Sequence, residues 1–310
     1  MTARAAVIHA PGYHCDIGPH VFPMSKFQRV RDSLIESGAI ADHEIVTPQA
    51  ADRATLERVH APEYLDDLFA ARMTWRTSDA EMPLTEEIAN AYAWMAGGTL
   101  LAARMALECD AAANLGGGFH HAFAERAEGF CYLNDLAIAI QALRSERRIV
   151  RAAVVDVDLH QGNGTAHLFR DEPEVFTFSI HQERLYPDKE RSDLDIGLDD
   201  ETGDEPYLEA LQRGLAEVWA HRPELVLLQA GADPFHADPL GALRLTFEGL
   251  KRRDRMVIEG CRARGIPVVI TLGGGYASDL ADVVRIHAQT CRLLFESESP
   301  APLAELGATP

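Results

Sequence analysis

Residues 152–164 read A-A-V-V-D-V-D-L-H-Q-G-N-G, and the fold turns on how that stretch is read. Four apolar residues without alternation mark a strand buried on both faces, as in parallel sheets. Polar residues then enter at every second position, as Asp156, Asp158 and His160, before a Gly-Asn-Gly turn. In a strand extended over 152–159 these three side chains share one side, with Val155, Val157 and Leu159 on the other. A covered strand that ends in two carboxylates and an imidazole predicts a ligand crevice at its carboxyl end.

The same grammar recurs along the chain. Short apolar runs at 5–9, 111–115, 175–180, 225–229 and 268–272 alternate with helical periods at 26–37, 88–108, 135–145, 205–221 and 247–264. That rhythm predicts an α/β fold, a single domain with a mostly parallel multi-stranded sheet and helices on both faces. No repeat or linker interrupts it, so one domain is expected over 1–295. The remainder, 296–310, carries three prolines among small residues and reads as a poorly ordered terminus. Three more strand ends carry glycine with reactive side chains: Gly116–Gly118 before His120 and His121, Gly231 before Asp233, and Gly273–Gly275 before Tyr276. With His160 they point to one shared crevice.

Composition narrows the class. The 310 residues are 47% hydrophobic and 25% charged, the balance of a globular protein with a large core. The formal net charge of −19 argues against a nucleic-acid footprint and mildly favours cationic partners. Five scattered cysteines with no C-x-x-C pair exclude a disulfide framework and a cysteine zinc knuckle, and suggest a reducing compartment. No apolar run reaches membrane-spanning length, and His, Pro and Gly break the first twenty residues before a signal-type core can form. A cytoplasmic protein without a membrane role is expected.

Asp158 and His160, with Asp233 arriving from a neighbouring strand end, form a donor set suited to zinc or another first-row divalent ion. An isolated D-x-H is more often a cap or ion pair. Three like-facing polar groups at a buried strand end favour the metal, because they are costly to bury without a strong partner. His120 and His121 could serve as acid and base on one substrate, although a random His-His is more often one buried ring and one solvated ring. Tyr276 could donate to a developing oxyanion or simply pack. Neither glycine run fits a phosphate-binding pattern. Cys131, beside Phe130, reads as a small buried side chain.

Together these residues resemble the histone deacetylase family of the arginase/deacetylase superfold. The matching segments are LGGGFHHAFAERAEGFCYLNDLAIAI, VVDVDLHQGNGTAHLF, QAGADPFHADPLG and LGGGY, in the family's order. FPMSKFQRVRDSLIESG, AGGT and LGALRLTFEGLKRRD are most similar to the class IV branch, in a bacterial-type member. The resemblance implies that Asp158, His160 and Asp233 bind zinc, with Fe²⁺ as an alternative in the cell. It makes His120 and His121 the tandem histidines, Asp156 the carboxylate behind His120, and Tyr276 the carbonyl-polarising tyrosine. Asn163 stands behind His121 where many members carry aspartate. Gly129, Phe130, Tyr186 and Leu240 would line the acyl-lysine tunnel. Backbone oxygens of Asp156, Asp158, His160 and Ile180, with the Ser179 hydroxyl, resemble a structural potassium site. The implied activity is removal of an acetyl or longer acyl group from a lysine of a protein or peptide. An acetylpolyamine or other small acylated amine is the alternative substrate. A non-catalytic acyl-lysine binder is opposed by the intact His120, His121, Tyr276 and metal ligands.

Overall fold

The computed structural model describes residues 5–296; the expected tail lies outside them apart from Glu296. Eight strands form one sheet: β1 (Ala6–Ile8), β2 (Ile45–Val46), β3 (Ala111–Asn114), β4 (Ala152–Asp156), β5 (Val175–Gln182), β6 (Leu194–Leu198), β7 (Val226–Gln229) and β8 (Val268–Thr271). Their order is β2-β1-β3-β8-β7-β4-β5-β6, and every pairing is parallel. The sheet is single, wholly parallel and covered on both sides, as the alternating rhythm predicts.

Alternation along the central strands explains the two-sided core. Val155, Leu228 and Ile270 enter one buried cluster, whereas Val154, Leu227 and Val269 enter the other. Helix Asp135–Ser145 and the second half of helix Glu86–Cys109 cover the latter face with Leu136, Ile140, Leu143, Leu100 and Ala103. Helices Lys26–Glu36, Asp204–His221, Phe247–Arg262 and Leu280–Arg292 cover the former, through Val30, Leu211, Val257 and Ile286 among others. Because all strands run the same way, their carboxyl ends share one edge. The four glycine-bearing loops follow β3, β8, β7 and β4, which are consecutive across the centre of the sheet. The topology therefore gathers their side chains.

The expected strand over 152–159 is too long. β4 ends at Asp156, so Asp158 and His160 lie in the loop beyond it. The side chains themselves end it: Asp156 Oδ1 accepts from the Asp158 N–H at 3.1 Å, and Asp158 Oδ1 accepts from the His160 N–H at 3.0 Å. Two successive turns of this kind satisfy the backbone locally and lift it off the sheet. Two short edge strands, β2 and β6, were not expected, nor was helix Leu280–Arg292.

Candidate active site

The ligand atoms of Asp158, His160 and Asp233 lie within 4.8 Å of one another, and all three residues are buried. His160 Nδ1 is 3.3 Å from Asp158 Oδ1 and 3.2 Å from Asp233 Oδ2. Backbone N–H groups aim the carboxylates: Gly274 donates to Asp158 Oδ2 at 2.8 Å, and Leu159 donates to Asp233 Oδ1 at 3.0 Å. A Cβ at Gly274 would meet Asp233 Oδ2 at 2.1 Å, so only glycine lets that loop close over both aspartates.

Deeper still, Arg253 is fully buried and donates to the carbonyls of Val157 at 3.0 Å and Gly231 at 2.8 Å. The first carbonyl immediately precedes Asp158 and the second lies two residues before Asp233, and Arg253 is itself paired with buried Asp254 at 2.7 Å. Removing one partner of such a buried pair costs about 3–5 kcal/mol. Arg253→Met is therefore expected to lower the unfolding free energy measured by urea titration by that amount, and to weaken metal binding in an equilibrium titration. Unchanged metal affinity would show that Arg253 supports the fold alone.

The donor set fits a divalent cation. Burial, followed by the charge on Asp158, pushes the Asp233 carboxyl up to about 7. Burial opposes a charged His160, yet its hydrogen bonds to Asp158 and Asp233 lift it to about 10. Both shifts describe a pocket short of positive charge, and two carboxylates with one imidazole and no thiolate suit a first-row ion with an open position.

Beside the donors stand the paired histidines, their ring centroids 4.0 Å apart. The loop that presents them is pinned by Asp135, which accepts from the N–H groups of Gly118 at 3.0 Å and Phe119 at 2.8 Å. His120 Nδ1 meets Asp156 Oδ2 at 2.6 Å. Burial works against charge on His120, but Asp156 and then Asp158 outweigh it and raise its pKa to about 9. His121 Nδ1 meets Asn163 Oδ1 at 2.8 Å. Burial, then the charges of His120 and His160, hold His121 well below the usual histidine range. Burial and neighbouring charge thus push the two adjacent imidazoles in opposite directions.

A narrow cavity of about 20 Å³ reaches these rings, with Phe22, Gly129, Phe130 and Tyr276 in its lining. Gly129 and Phe130 both have positive φ, 51° and 63°, in a turn that sets the Phe130 ring 5.9 Å from that of Tyr276. Tyr186 stands farther out, 42% exposed, its ring 5.5 Å from His121 and 6.2 Å from His160. Leu240 is half-buried on a turn tied to Tyr276 by one carboxylate, since Asp238 accepts from both backbone N–H groups at 3.0 and 2.7 Å. Ser179 lies opposite Asp156 in the sheet register, with Ile180 next to it, and its hydroxyl meets His181 Nδ1 at 2.9 Å. Cys131 is buried, and burial raises its thiol well above the usual range.

Asp238, Arg253 and two further residues escape the motif reading. Lys26 is fully buried and donates to the Gly273 carbonyl. Glu128 accepts from Asn163 Nδ2 at 2.7 Å.

A parallel sheet with this arrangement at its carboxyl edge has the layout of the arginase/deacetylase fold. The chain superposes on a solved structure of the HDA15 HD domain with a TM-score of 0.81 at 22% identity, covering 94% of this chain and 91% of that one. A histone deacetylase domain profile matches residues 20–291. The sequence is 34% identical to Histone deacetylase 2 of Arabidopsis thaliana, over 86% of this chain and 72% of that protein. It is 32% identical to the acetoin utilization protein AcuC of Bacillus subtilis (strain 168), over 87% and 76% respectively. The chain belongs to the histone deacetylase family, which is metal-dependent, and is a hydrolase acting on amide bonds. Among the described residues no helix is long and apolar enough to cross a membrane.

Proposed function

We propose that this enzyme is a zinc-dependent deacylase that removes an acetyl or longer acyl group from a lysine side chain. The observation that carries the reading is the tandem His120 and His121, one backed by Asp156 at 2.6 Å and the other by Asn163 at 2.8 Å, next to three convergent metal donors. Asp158, His160 and Asp233 would hold the ion, which supplies a polarised acyl carbonyl and a bound water with a pKa near 7. His121, kept neutral by its surroundings, takes a proton from the attacking water at Nε2 as the C–O bond forms. It returns that proton to the amine nitrogen as the C–N bond breaks. His120 keeps its proton through its contact with Asp156 and orients the water. The Tyr276 hydroxyl donates to the carbonyl oxygen as charge develops there. A carboxylate and a free amine leave.

Gly129 and Phe130 would line the acyl-lysine passage, with Tyr186 and Leu240 on the opposing side. Backbone oxygens of Asp156, Asp158, His160 and Ile180, with Ser179, are candidate ligands for a structural potassium ion. Iron(II) is an alternative for the catalytic site, and class IV is the branch the sequence most resembles.

Outside the passage lies an open groove of about 1020 Å³ whose lining includes six carboxylates and three cationic side chains. That charge favours substrates with further amines, either lysine-rich peptides or acylated polyamines. A hydrolysis screen separates them. Acetyl-lysine peptides, longer acyl-lysine peptides and acetylpolyamines are compared with and without a chelator. Turnover of acyl-lysine peptides is expected, lost on chelation and restored by zinc. Faster turnover of acetylpolyamines would replace the peptide reading, and chelator-resistant turnover would remove the metal from it.

A further inference from the structure

We propose that Glu128 is a positioning residue that fixes the Asn163 amide and, through it, the tautomer of His121; the inference rests on His121 acting as the base. A primary amide has two unlike ends, and here the partners of each end suit only one orientation. Asn163 is 2% exposed. Its Oδ1 accepts from the Gly164 N–H at 3.0 Å and faces His121 Nδ1 at 2.8 Å. Its Nδ2 donates to Glu128 Oε1 at 2.7 Å. Turned over, the amide would set its oxygen against a carboxylate and its NH₂ against a backbone N–H. The oxygen therefore points to His121, Nδ1 carries the ring proton, and the Nε2 lone pair is left free.

Asparagine alone could not enforce this. An amide that is free to rotate can offer His121 either an acceptor or a donor, and the second choice would strip Nε2 of its basic lone pair. Glu128 acts with the Gly164 N–H to remove that freedom, and it alone places a negative charge one step behind the amide. Chained hydrogen bonds polarise one another, so part of that charge is felt at Oδ1.

Glu128 is well placed for the task. Its side chain is 16% exposed and is braced by Arg126 Nη2 at 3.2 Å and, over a longer 3.4 Å contact, by the Tyr186 hydroxyl. Its backbone closes the Gly129–Phe130 turn, donating to the Cys131 carbonyl at 3.2 Å and accepting from the Cys131 N–H at 2.9 Å. One residue thus connects the wall of the passage to the base.

Two other roles would leave the same contacts: a rim ion pair with Arg126, or an anchor for the turn. The second background below separates them. Glu128→Ala should lower kcat about tenfold, the low end of what removing the partner behind a metal-bound histidine costs, with KM and metal content near parent values. Glu128→Gln keeps an oxygen that can accept from Asn163 and should lose less. With Asn163→Asp the logic inverts, because a carboxylate at 163 orients His121 unaided and repels Glu128. There Glu128→Ala should cost nothing or raise the rate. Two-bond ¹H–¹⁵N spectra of the histidine rings should show His121 protonated at Nδ1 in the parent and a mixture in Glu128→Ala. Equal losses in both backgrounds, or an unchanged His121 tautomer, would overturn the proposal, as would an effect confined to KM. A parent protein that hydrolyses no acylated amine would overturn the deacylase reading instead, while the tautomer measurement would still decide the role of Glu128.

Discussion

Asp233→Asn is expected to abolish metal binding and turnover together while leaving the protein folded. Asp233 uses its two oxygens for different tasks: Oδ1 accepts the Leu159 N–H at 3.0 Å, and Oδ2 faces His160. An asparagine can keep the first contact with its carbonyl oxygen. Its NH₂ then occupies the second position, where a donor group without a lone pair cannot ligate a cation. The fold should tolerate the change, because burial and the neighbouring Asp158 already push the Asp233 carboxyl up to about 7. A neutral amide relieves that repulsion. Asp158 makes a poorer test, since both its oxygens accept backbone N–H groups, from Gly274 at 2.8 Å and His160 at 3.0 Å. An amide there would leave one N–H facing another. Metal analysis, a thermal melt and peptide hydrolysis on Asp233→Asn read the three consequences separately. A full equivalent of metal in this variant would place the ligands elsewhere.

The ease with which these ligands are read from the sequence has a physical basis. Each follows a short, mostly apolar strand and has glycine within a few residues, and four such strands can share one edge only in a parallel sheet. The expected helix over 135–145 matches the observed Asp135–Ser145, because Asn134 caps it and its apolar residues are continuous. The failures are also physical. Polar residues at alternate positions mimic a continuing strand over 152–159, whereas Asp156 and Asp158 capture backbone N–H groups and end it. β6 pairs on one side only, and its alternate residues are exposed, so no buried apolar run announces it. Helix Leu280–Arg292 is a miss of another kind. Asp279 caps it, and Val283, Ile286, His287, Thr290 and Cys291 form a buried face at helical spacing.

Residues that support the site are harder to see, because each contacts something distant in sequence. Arg253 lies in a K-R-R-D run that looks solvated. Only the spacing of Leu250, Val257 and Cys261 hints that Arg253 and Asp254 share their buried face. Glu128 carries no local signal, since its meaning depends on Asn163, thirty-five residues away. An asparagine in place of a carboxylate reads as a lost charge until the fold shows where a carboxylate stands.

Tyr276→Phe should separate catalysis from binding. Tyr276 is fixed by its backbone N–H on Asp238 Oδ2 at 2.7 Å and by ring contacts with Phe22 and Phe130 at 6.3 and 5.9 Å. Phenylalanine keeps all three. What it removes is the hydroxyl, whose pKa is raised well above the usual value by burial and then by the charges of Asp233 and Asp158. The group therefore remains a protonated donor throughout the working pH range. Its contribution grows as charge moves onto the carbonyl oxygen, so it belongs to the transition state rather than to the resting complex. Turnover should fall by roughly 10²–10³, the usual loss for one oxyanion donor, with substrate affinity, metal content and melting temperature nearly unchanged. Three readouts keep the interpretation open to failure. Turnover near the parent rate would make Tyr276 a wall residue. Lost metal would put its oxygen among the ligands. A weaker KM at unchanged kcat would mean that the hydroxyl grips substrate and transition state alike, leaving the developing charge to be stabilised without it.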